Sequence, residues 1–184
     1  KQQLPVYEAK FADLQGKKMV LVTGHRRESF GSGFENICNA IKTLALKYAD
    51  WHFVYPVHLN PNVQQIVYTL LADIDNVALI DPLPYDELIY IMSKAKMVLT
   101  DSGGIQEEAP TFDIPIVVMR NKTERQEGVE AGCAVLAGTT QEGIVDAFSA
   151  ILDDRTQYAK MAAAPNPYGD GTTARQIVSI LEEA

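Results

Sequence analysis

The sequence has few of the residues that mark metal sites, disulfide frameworks or membrane spans. Two cysteines and three histidines occur among 184 residues, without metal-ligand spacing, so we expect no structural zinc site. Cys38 and Cys133 lie in apolar stretches, which predicts buried, reduced thiols and a cytoplasmic protein. Because no apolar run approaches the roughly 18 to 20 residues that cross a bilayer, we expect no membrane-spanning helix.

Positive charge is also scarce, with 16 Lys and Arg against 24 Asp and Glu. The net charge of -8 argues against nucleic acid and membranes as partners, although a local basic pocket could still bind phosphate. The length suits one domain with a sizeable core. The chain starts at Lys1 without Met or the apolar core of a signal peptide, and we therefore expect a processed chain or an excised domain.

Short β-rich apolar runs alternate with stretches of helical periodicity. The predicted strands are 19–23, 51–55, 77–80, 97–100, 116–119 and 134–137. This alternation predicts an α/β fold, a Rossmann-like parallel sheet with helices on both faces. Ligands bind such sheets beyond the carboxyl ends of the strands. The candidate site therefore comprises the loops at 24–33, 81–88, 102–108 and 121–128.

The segment 100–108, TDSGGIQEE, follows the fourth predicted strand, and a helix is predicted to begin near Ile105. Its glycines let backbone N–H groups approach an anion, the helix adds its positive end, and Ser102 adds a hydroxyl donor. This chemistry suits a pyrophosphate, and Glu108 could accept hydrogen bonds from both hydroxyls of a ribose. The same spacing fits a plain tight turn with surface glutamates, and the residues alone leave both interpretations open.

The loop 24–31, GHRRESFG, joins an imidazole and two guanidinium groups to glycines at the end of the first strand. Arginine offers planar donors for phosphate, and histidine titrates near neutrality. A structural loop would use His25 as a cap, but the concentration of these residues favours a function. The G-x-G-x-x-G fingerprint is incomplete and no acidic residue follows the second strand, so a nicotinamide cofactor is not expected.

Two further residues, Arg125 and His58, are expected near the same edge of the sheet. Arg125 could reach a phosphate or a sugar hydroxyl, although taken alone it fits a surface salt bridge better. His58 follows the second strand and could equally satisfy local backbone, whereas His52 alternates with apolar strand residues and is expected to be structural. No G-x-S-x-G elbow, P-loop or H-E-x-x-H motif occurs, and no carboxylate pair stands out as acid and base.

Five segments, in order, resemble the C-terminal half of the non-hydrolysing UDP-N-acetylglucosamine 2-epimerases. They are GHRRESFG, PVHLNP, TDSGGIQEEAP, TERQEGVEAG and NPYGDG. The resemblance runs from about Lys18 to the end of the chain. It implies one half of a glycosyltransferase-B type architecture, in which two Rossmann-like domains face each other across a cleft.

The resemblance also implies the reaction. Such enzymes interconvert UDP-N-acetylglucosamine and UDP-N-acetylmannosamine for bacterial surface polysaccharides, by eliminating UDP to give 2-acetamidoglucal and adding UDP back. They need no metal or nicotinamide cofactor. Their acid and base carboxylates belong to the N-terminal half, which is absent here, so we expect this chain alone to be inactive. The whole protein is expected to be a homodimer.

Site roles follow from the resemblance, residue by residue. His25 would stabilise the departing UDP. The implied UDP-binding residues are Leu83, Leu88, Ser102, Gly103, Gly104, Glu108 and Arg125. The implied activator-site residues are Arg26, Glu28 and His58. Residues 1–184 would form one UDP-binding domain, with 1–17 as a linker segment and 172–184 as a C-terminal helix that packs either here or on the other half.

Two other classes of function remain open. A UDP-sugar glycosyltransferase domain could carry a similar phosphate turn and ribose-binding glutamate, although GHRRESFG would be unexpected there. A non-catalytic nucleotide sensor or interaction module would keep the phosphate turn and have no use for His25.

Overall fold

A computed structural model describes residues 3–24, 26 and 31–183. Its strands are β1 (Lys18–Thr23), β2 (Trp51–Pro56), β3 (Val77–Ile80), β4 (Met97–Thr100), β5 (Ile116–Val118) and β6 (Ala134–Leu136). All pair in parallel, in one six-stranded sheet of order β3-β2-β1-β4-β5-β6. The predicted α/β class with a parallel sheet is confirmed, and all six predicted strands occur within one or two residues of their expected ends.

Helices cover both faces of the sheet. They are α1 (Leu4–Lys10), α2 (Ser32–Lys47), α3 (Pro61–Leu71), α4 (Tyr85–Lys94), α5 (Gly103–Glu108), α6 (Gln126–Ala131), α7 (Gln141–Leu152), α8 (Arg155–Ala162) and α9 (Thr173–Glu182). Short 3-10 helices span Ala12–Leu14 and Ala109–Phe112. Asn60 caps α3, because its side chain accepts a hydrogen bond from the Asn62 N–H at 3.0 Å and Pro61 follows.

Two apolar cores lie on opposite faces of the sheet, and alternate residues of each strand supply them. Val20 and Val22 of β1 pack with α2, α3 and α7, whereas Met19 and Leu21 pack with α4 and α5. Every residue of β4 is buried. The central strands β1, β4 and β5 therefore read as nearly continuous apolar runs rather than alternating ones.

Three helices differ from the sequence-based expectation. Helix α5 begins at Gly103, not near Ile105. Glycine has a low helix propensity, so the sequence does not show that the helix includes Gly103 and Gly104. Both are in the first turn, where backbone N–H groups need no partner within the helix. Helix α8 was not predicted; it buries only Met161 and begins where the Asp154 carboxylate accepts two backbone N–H bonds. Helix α1 was not predicted either and buries no residue.

Both cysteines are free and buried, which confirms that prediction. Burial raises the pKa of Cys38 to about 12. The last predicted helix is present as α9, and its apolar side chains Ile177, Val178, Ile180 and Leu181 are all more than half exposed. Within the described ranges, none of the helices is long and apolar enough to span a membrane.

Candidate functional site

The strand order reverses between β1 and β4, and their carboxyl ends define the candidate site. Thr23 and Thr100 are direct partners across these strands, and their Oγ1 atoms lie 2.6 Å apart. At the end of β2, the buried Tyr55 hydroxyl donates a hydrogen bond to the Gly24 carbonyl oxygen at 2.7 Å. These bonds fix the start of the loop 24–31 against the sheet.

Arg26 is bonded to the turn after β4. Asp101 is fully buried, and its Oδ2 accepts a hydrogen bond from the Arg26 backbone N–H at 2.8 Å. The structure therefore brings Arg26 next to the Ser-Gly-Gly turn. His25 and Glu28 lie outside the described residues, and their predicted roles stay predictions.

The turn itself presents its glycines at the start of α5. Ser102 occupies the N-cap position, and its backbone N–H donates to the Thr100 Oγ1 at 2.9 Å. Gly103 is buried and Gly104 is exposed. A Cβ atom at Gly104 would meet nothing closer than the Ser102 Oγ, 4.0 Å away, so space is open above this end of the helix.

Arg125 reaches this turn from the loop between β5 and α6. A Cβ atom on Gly103 would lie 3.4 Å from the Arg125 Cζ and 3.5 Å from its Nη2, so the guanidinium group covers Gly103. The Arg125 Nε donates to the Glu107 Oε1 at 2.6 Å, and both side chains are partly exposed. The salt bridge considered from the sequence is present, and it holds the cation beside the turn.

A buried polar chain connects the two loops. The Gln106 Nε2 donates to the Ser102 carbonyl oxygen at 3.1 Å, and its Oε1 accepts from the Thr123 Oγ1 at 2.7 Å. The same Thr123 oxygen accepts from the Arg125 backbone N–H at 3.0 Å. Sequence reasoning missed Gln106 and Thr123, because neither belongs to a spacing pattern that implies ligand binding.

An ion pair between Arg120 and Glu124 stabilises the loop between β5 and α6. Arg120 is 4% exposed, and its two terminal nitrogens donate to both carboxylate oxygens of Glu124 at 2.8 and 3.1 Å. This bond, with smaller contributions from the Glu124 backbone N–H and the charge of Arg26, lowers the pKa of Glu124 to about 2. The carboxylate is therefore charged at neutral pH. The sequence analysis did not identify this pair.

The predicted ribose and base positions lie at the neighbouring strand ends. The Glu108 Oε1 accepts a hydrogen bond from the Tyr85 hydroxyl at 3.1 Å, which raises the pKa of Tyr85. Leu83 and Leu88, after β3, are half-buried and pack against the core on that face. Tyr85 also borders a groove of about 800 Å³ between α1 and α4, and none of the predicted site residues that the structure describes lines it.

The two described histidines occupy different ends of the sheet. His58 is exposed after β2, and its Nδ1 accepts a hydrogen bond from the Asn60 backbone N–H at 3.1 Å. His52 pairs with Met19 near the amino ends of the strands, and burial lowers its pKa. His58 thus lies at the predicted edge, whereas His52 lies away from it. The described ranges contain no group of three or more side chains able to hold a metal ion.

Comparison with known proteins gives one consistent family. The family model described as UDP-N-acetylglucosamine 2-epimerase matches residues 1–182. A UDP-N-acetylglucosamine 2-epimerase from Campylobacter jejuni is 54% identical over 165 residues, which are 90% of this chain and 43% of that protein. The chain therefore spans less than half the length of this relative.

Solved structures agree with that match. The crystal structure of UDP-GlcNAc 2-epimerase from Neisseria meningitidis, bound to UDP-GlcNAc, superposes with a TM-score of 0.94 at 42% identity, over 100% of this chain and 50% of that one. The C-terminal domain of a group 1 glycosyl transferase from Francisella tularensis superposes with a TM-score of 0.65 at 18% identity, over 92% of both chains. At that identity the likeness shows the fold alone.

Proposed function

Because the chain belongs to the UDP-N-acetylglucosamine 2-epimerase family, we propose that it is the UDP-binding half of an enzyme that interconverts UDP-N-acetylglucosamine and UDP-N-acetylmannosamine. Residues 1–184 would act as one domain, in which 1–17 form a linker segment and 172–184 form the C-terminal helix. It would work in the cytoplasm, in agreement with its two free thiols. The other half, and a second copy of the whole protein, would be its partners.

One observation carries the proposal: the Arg125 guanidinium covers Gly103, at the start of α5. Backbone N–H groups at a helix N-terminus and a planar cation together suit a diphosphate. Ser102, Gly103 and Gly104 would bind its oxygens. Glu108 is one turn further along α5, where it would accept hydrogen bonds from the ribose hydroxyls.

The uracil would lie beside Leu83, in the loop that leads from β3 into α4, and Leu88, in the first turn of α4. These side chains are half-buried and offer an apolar wall for one face of the base. Polar recognition of the base would come largely from backbone groups. Arg26, Glu28 and His58 would belong to an activator site for a second substrate molecule.

In the reaction, the bond between C1 of the sugar and the UDP oxygen breaks while C2 loses its proton. UDP departs with the electron pair of the broken bond and leaves 2-acetamidoglucal. Re-addition of UDP at C1, with a proton delivered to the opposite face of C2, gives the epimer. His25 and Arg125 would stabilise the charge on the departing UDP, and the other half would supply the proton-transfer groups.

Titration calorimetry with UDP tests the nucleotide site in the 184-residue chain. We expect weak but measurable binding, and about a tenfold or greater loss in Arg125→Ala, since a charge-assisted hydrogen bond to phosphate would be removed. Arg155→Ala is the matched control, because Arg155 is an exposed arginine at the start of α8, remote from the turn. Absence of UDP binding at millimolar concentration would contradict the proposal.

Activity assays test the division of labour and the alternatives. The 184-residue chain should not epimerise UDP-N-acetylglucosamine, and turnover by this chain alone would refute the need for the other half. The complete enzyme should form UDP-N-acetylmannosamine without any acceptor, whereas a glycosyltransferase would not. In that enzyme His25→Ala should abolish most activity, and a non-catalytic sensor would be unaffected.

A further inference from the structure

Tyr168 lies between α8 and α9 and reaches the start of α6. Its hydroxyl oxygen accepts a hydrogen bond from the Gly128 backbone N–H at 3.0 Å and donates one to the Arg125 carbonyl oxygen at 3.3 Å. One phenol therefore contacts both the residue before α6 and its third residue. The proposed function gives Tyr168 no role.

These bonds matter because α6 has only six residues and a weakly capped start. The first N–H groups of a helix lack helical partners and must be satisfied from outside. Arg125 occupies the N-cap position and, within the part of the chain that is described, its side chain forms no capping bond. The Tyr168 hydroxyl takes over that task for the Gly128 N–H.

Two hydrogen bonds of the Asn166 side chain fix the backbone segment that carries Tyr168. The Tyr168 backbone N–H donates to the Asn166 Oδ1 at 2.9 Å, and the Asn166 Nδ2 donates to the Thr111 Oγ1 at 3.1 Å. Thr111 lies in the 3-10 helix that continues α5. Tyr168 thereby connects the element that carries the Ser-Gly-Gly turn with the element that carries Arg125.

We propose that Tyr168 is a positioning residue for Arg125, which it acts on through the Arg125 backbone. By fixing the start of α6, it would hold the guanidinium group over Gly103, where the diphosphate binds in the proposed function. The inference rests on that proposed function. Tyr168 is not expected to touch the nucleotide.

Gly128 is the second half of this contact. A Cβ atom at Gly128 would lie 2.8 Å from the Tyr168 hydroxyl oxygen, so only glycine leaves room for the phenol. The requirement is one of space, since Gly128 is not among the glycines with positive φ. Alanine is also the better helix former. Gly128→Ala should therefore displace the hydroxyl while leaving α6 and Tyr168 present.

Titrations of UDP and of uridine into the 184-residue chain test the proposal. Tyr168→Phe and Gly128→Ala should each weaken UDP binding about fivefold, because the Arg125 guanidinium group is then held less firmly over Gly103. Uridine has no phosphate and should bind each variant as it binds the original chain. The double variant should be no weaker than either single one, because both changes break the same contact.

Tyr158→Phe is the matched control. The Tyr158 hydroxyl also donates to a backbone carbonyl, that of Lys96 at 2.7 Å, but before β4 at the opposite end of the sheet. Its removal should leave UDP affinity unchanged.

Each outcome decides between the two proposals. If the original chain binds no UDP, the proposed function fails and the role of Tyr168 fails with it. If UDP binds but Tyr168→Phe and Gly128→Ala bind it equally well, only the role of Tyr168 is refuted. Equal losses for UDP and uridine, or additive losses in the double variant, would show a general structural effect and would also overturn it. If one single variant does not fold, the other still decides.

Discussion

Thr123→Val removes one hydroxyl that holds the β5–α6 loop to α5. Thr123 is 6% exposed, and its Oγ1 donates to the Gln106 Oε1 at 2.7 Å while accepting from the Arg125 N–H at 3.0 Å. Valine keeps the shape of the side chain and deletes both bonds. The Gln106 side chain, only 1% exposed, is left with an unsatisfied oxygen.

The size of the effect follows from the two bonds. A polar group left unsatisfied in the interior costs about 1–3 kcal/mol, and a partly exposed one costs less because water replaces the lost partner. We expect the free energy of unfolding to fall by about 3 kcal/mol. For a domain of this size, that corresponds to a fall in melting temperature of roughly 10 °C.

Urea denaturation followed by circular dichroism measures this loss, and UDP titration measures its consequence for Arg125. Thr139→Val is the control, since among the described residues the Thr139 Oγ1 accepts only a long, exposed hydrogen bond of 3.5 Å, from the Asn121 side chain. We expect that variant to unfold like the original chain. A Thr123→Val protein within about 0.5 kcal/mol of the original stability would refute the role of this buried chain.

Three further predictions concern packing, pH and thiol reactivity. Gly143→Ala should destabilise the fold by about 2 kcal/mol, because the new Cβ would lie 2.5 Å from the Ala137 carbonyl oxygen. Gly33→Ala is the control and should not destabilise the fold, because its Cβ would lie 3.9 Å from the nearest atoms, those of Thr139. Thermal unfolding compares the two variants. Folding lowers the pKa of Glu124 from 4.5 to about 2, so the stability it contributes is complete above about pH 4.5 and is lost as the pH falls towards 2. Glu124→Gln should flatten the pH dependence of unfolding in that window, and an unchanged profile would argue against the pairing with Arg120. Cys38 and Cys133 should resist Ellman's reagent in the native chain and react fully in urea, since both are buried and burial raises the pKa of each thiol; fast labelling of the native chain would contradict their burial.

The strands were predictable because each contains a short apolar run, which in the centre of the sheet is buried on both faces. For β4 and β5, every residue is buried, so the run itself carries the signal. The start of α3 was equally predictable, because Asn60 and Pro61 act on the helix only one or two residues away. Helix α8 was not predictable in the same way, since it buries one side chain and has little amphipathic pattern.

The candidate site was predictable only as a set of loops at one edge of the sheet. Parallel strands place all their carboxyl ends together, so loops that follow different strands had to meet there. Which atoms of those loops touch was not predictable, because the contact between Arg125 and Gly103 spans 22 positions of sequence. The contact between Tyr168 and Gly128 spans 40.

The sequence by itself determined the parallel α/β sheet, the edge that carries the candidate site, and the family, since local apolar runs, caps and glycine-rich turns express these features directly. Only the tertiary structure decided that Arg125 covers Gly103, that Gln106 and Thr123 connect their loops, and that Tyr168 holds the start of α6. Those contacts depend on packing between elements that are far apart in the chain, so no local sequence pattern predicts them.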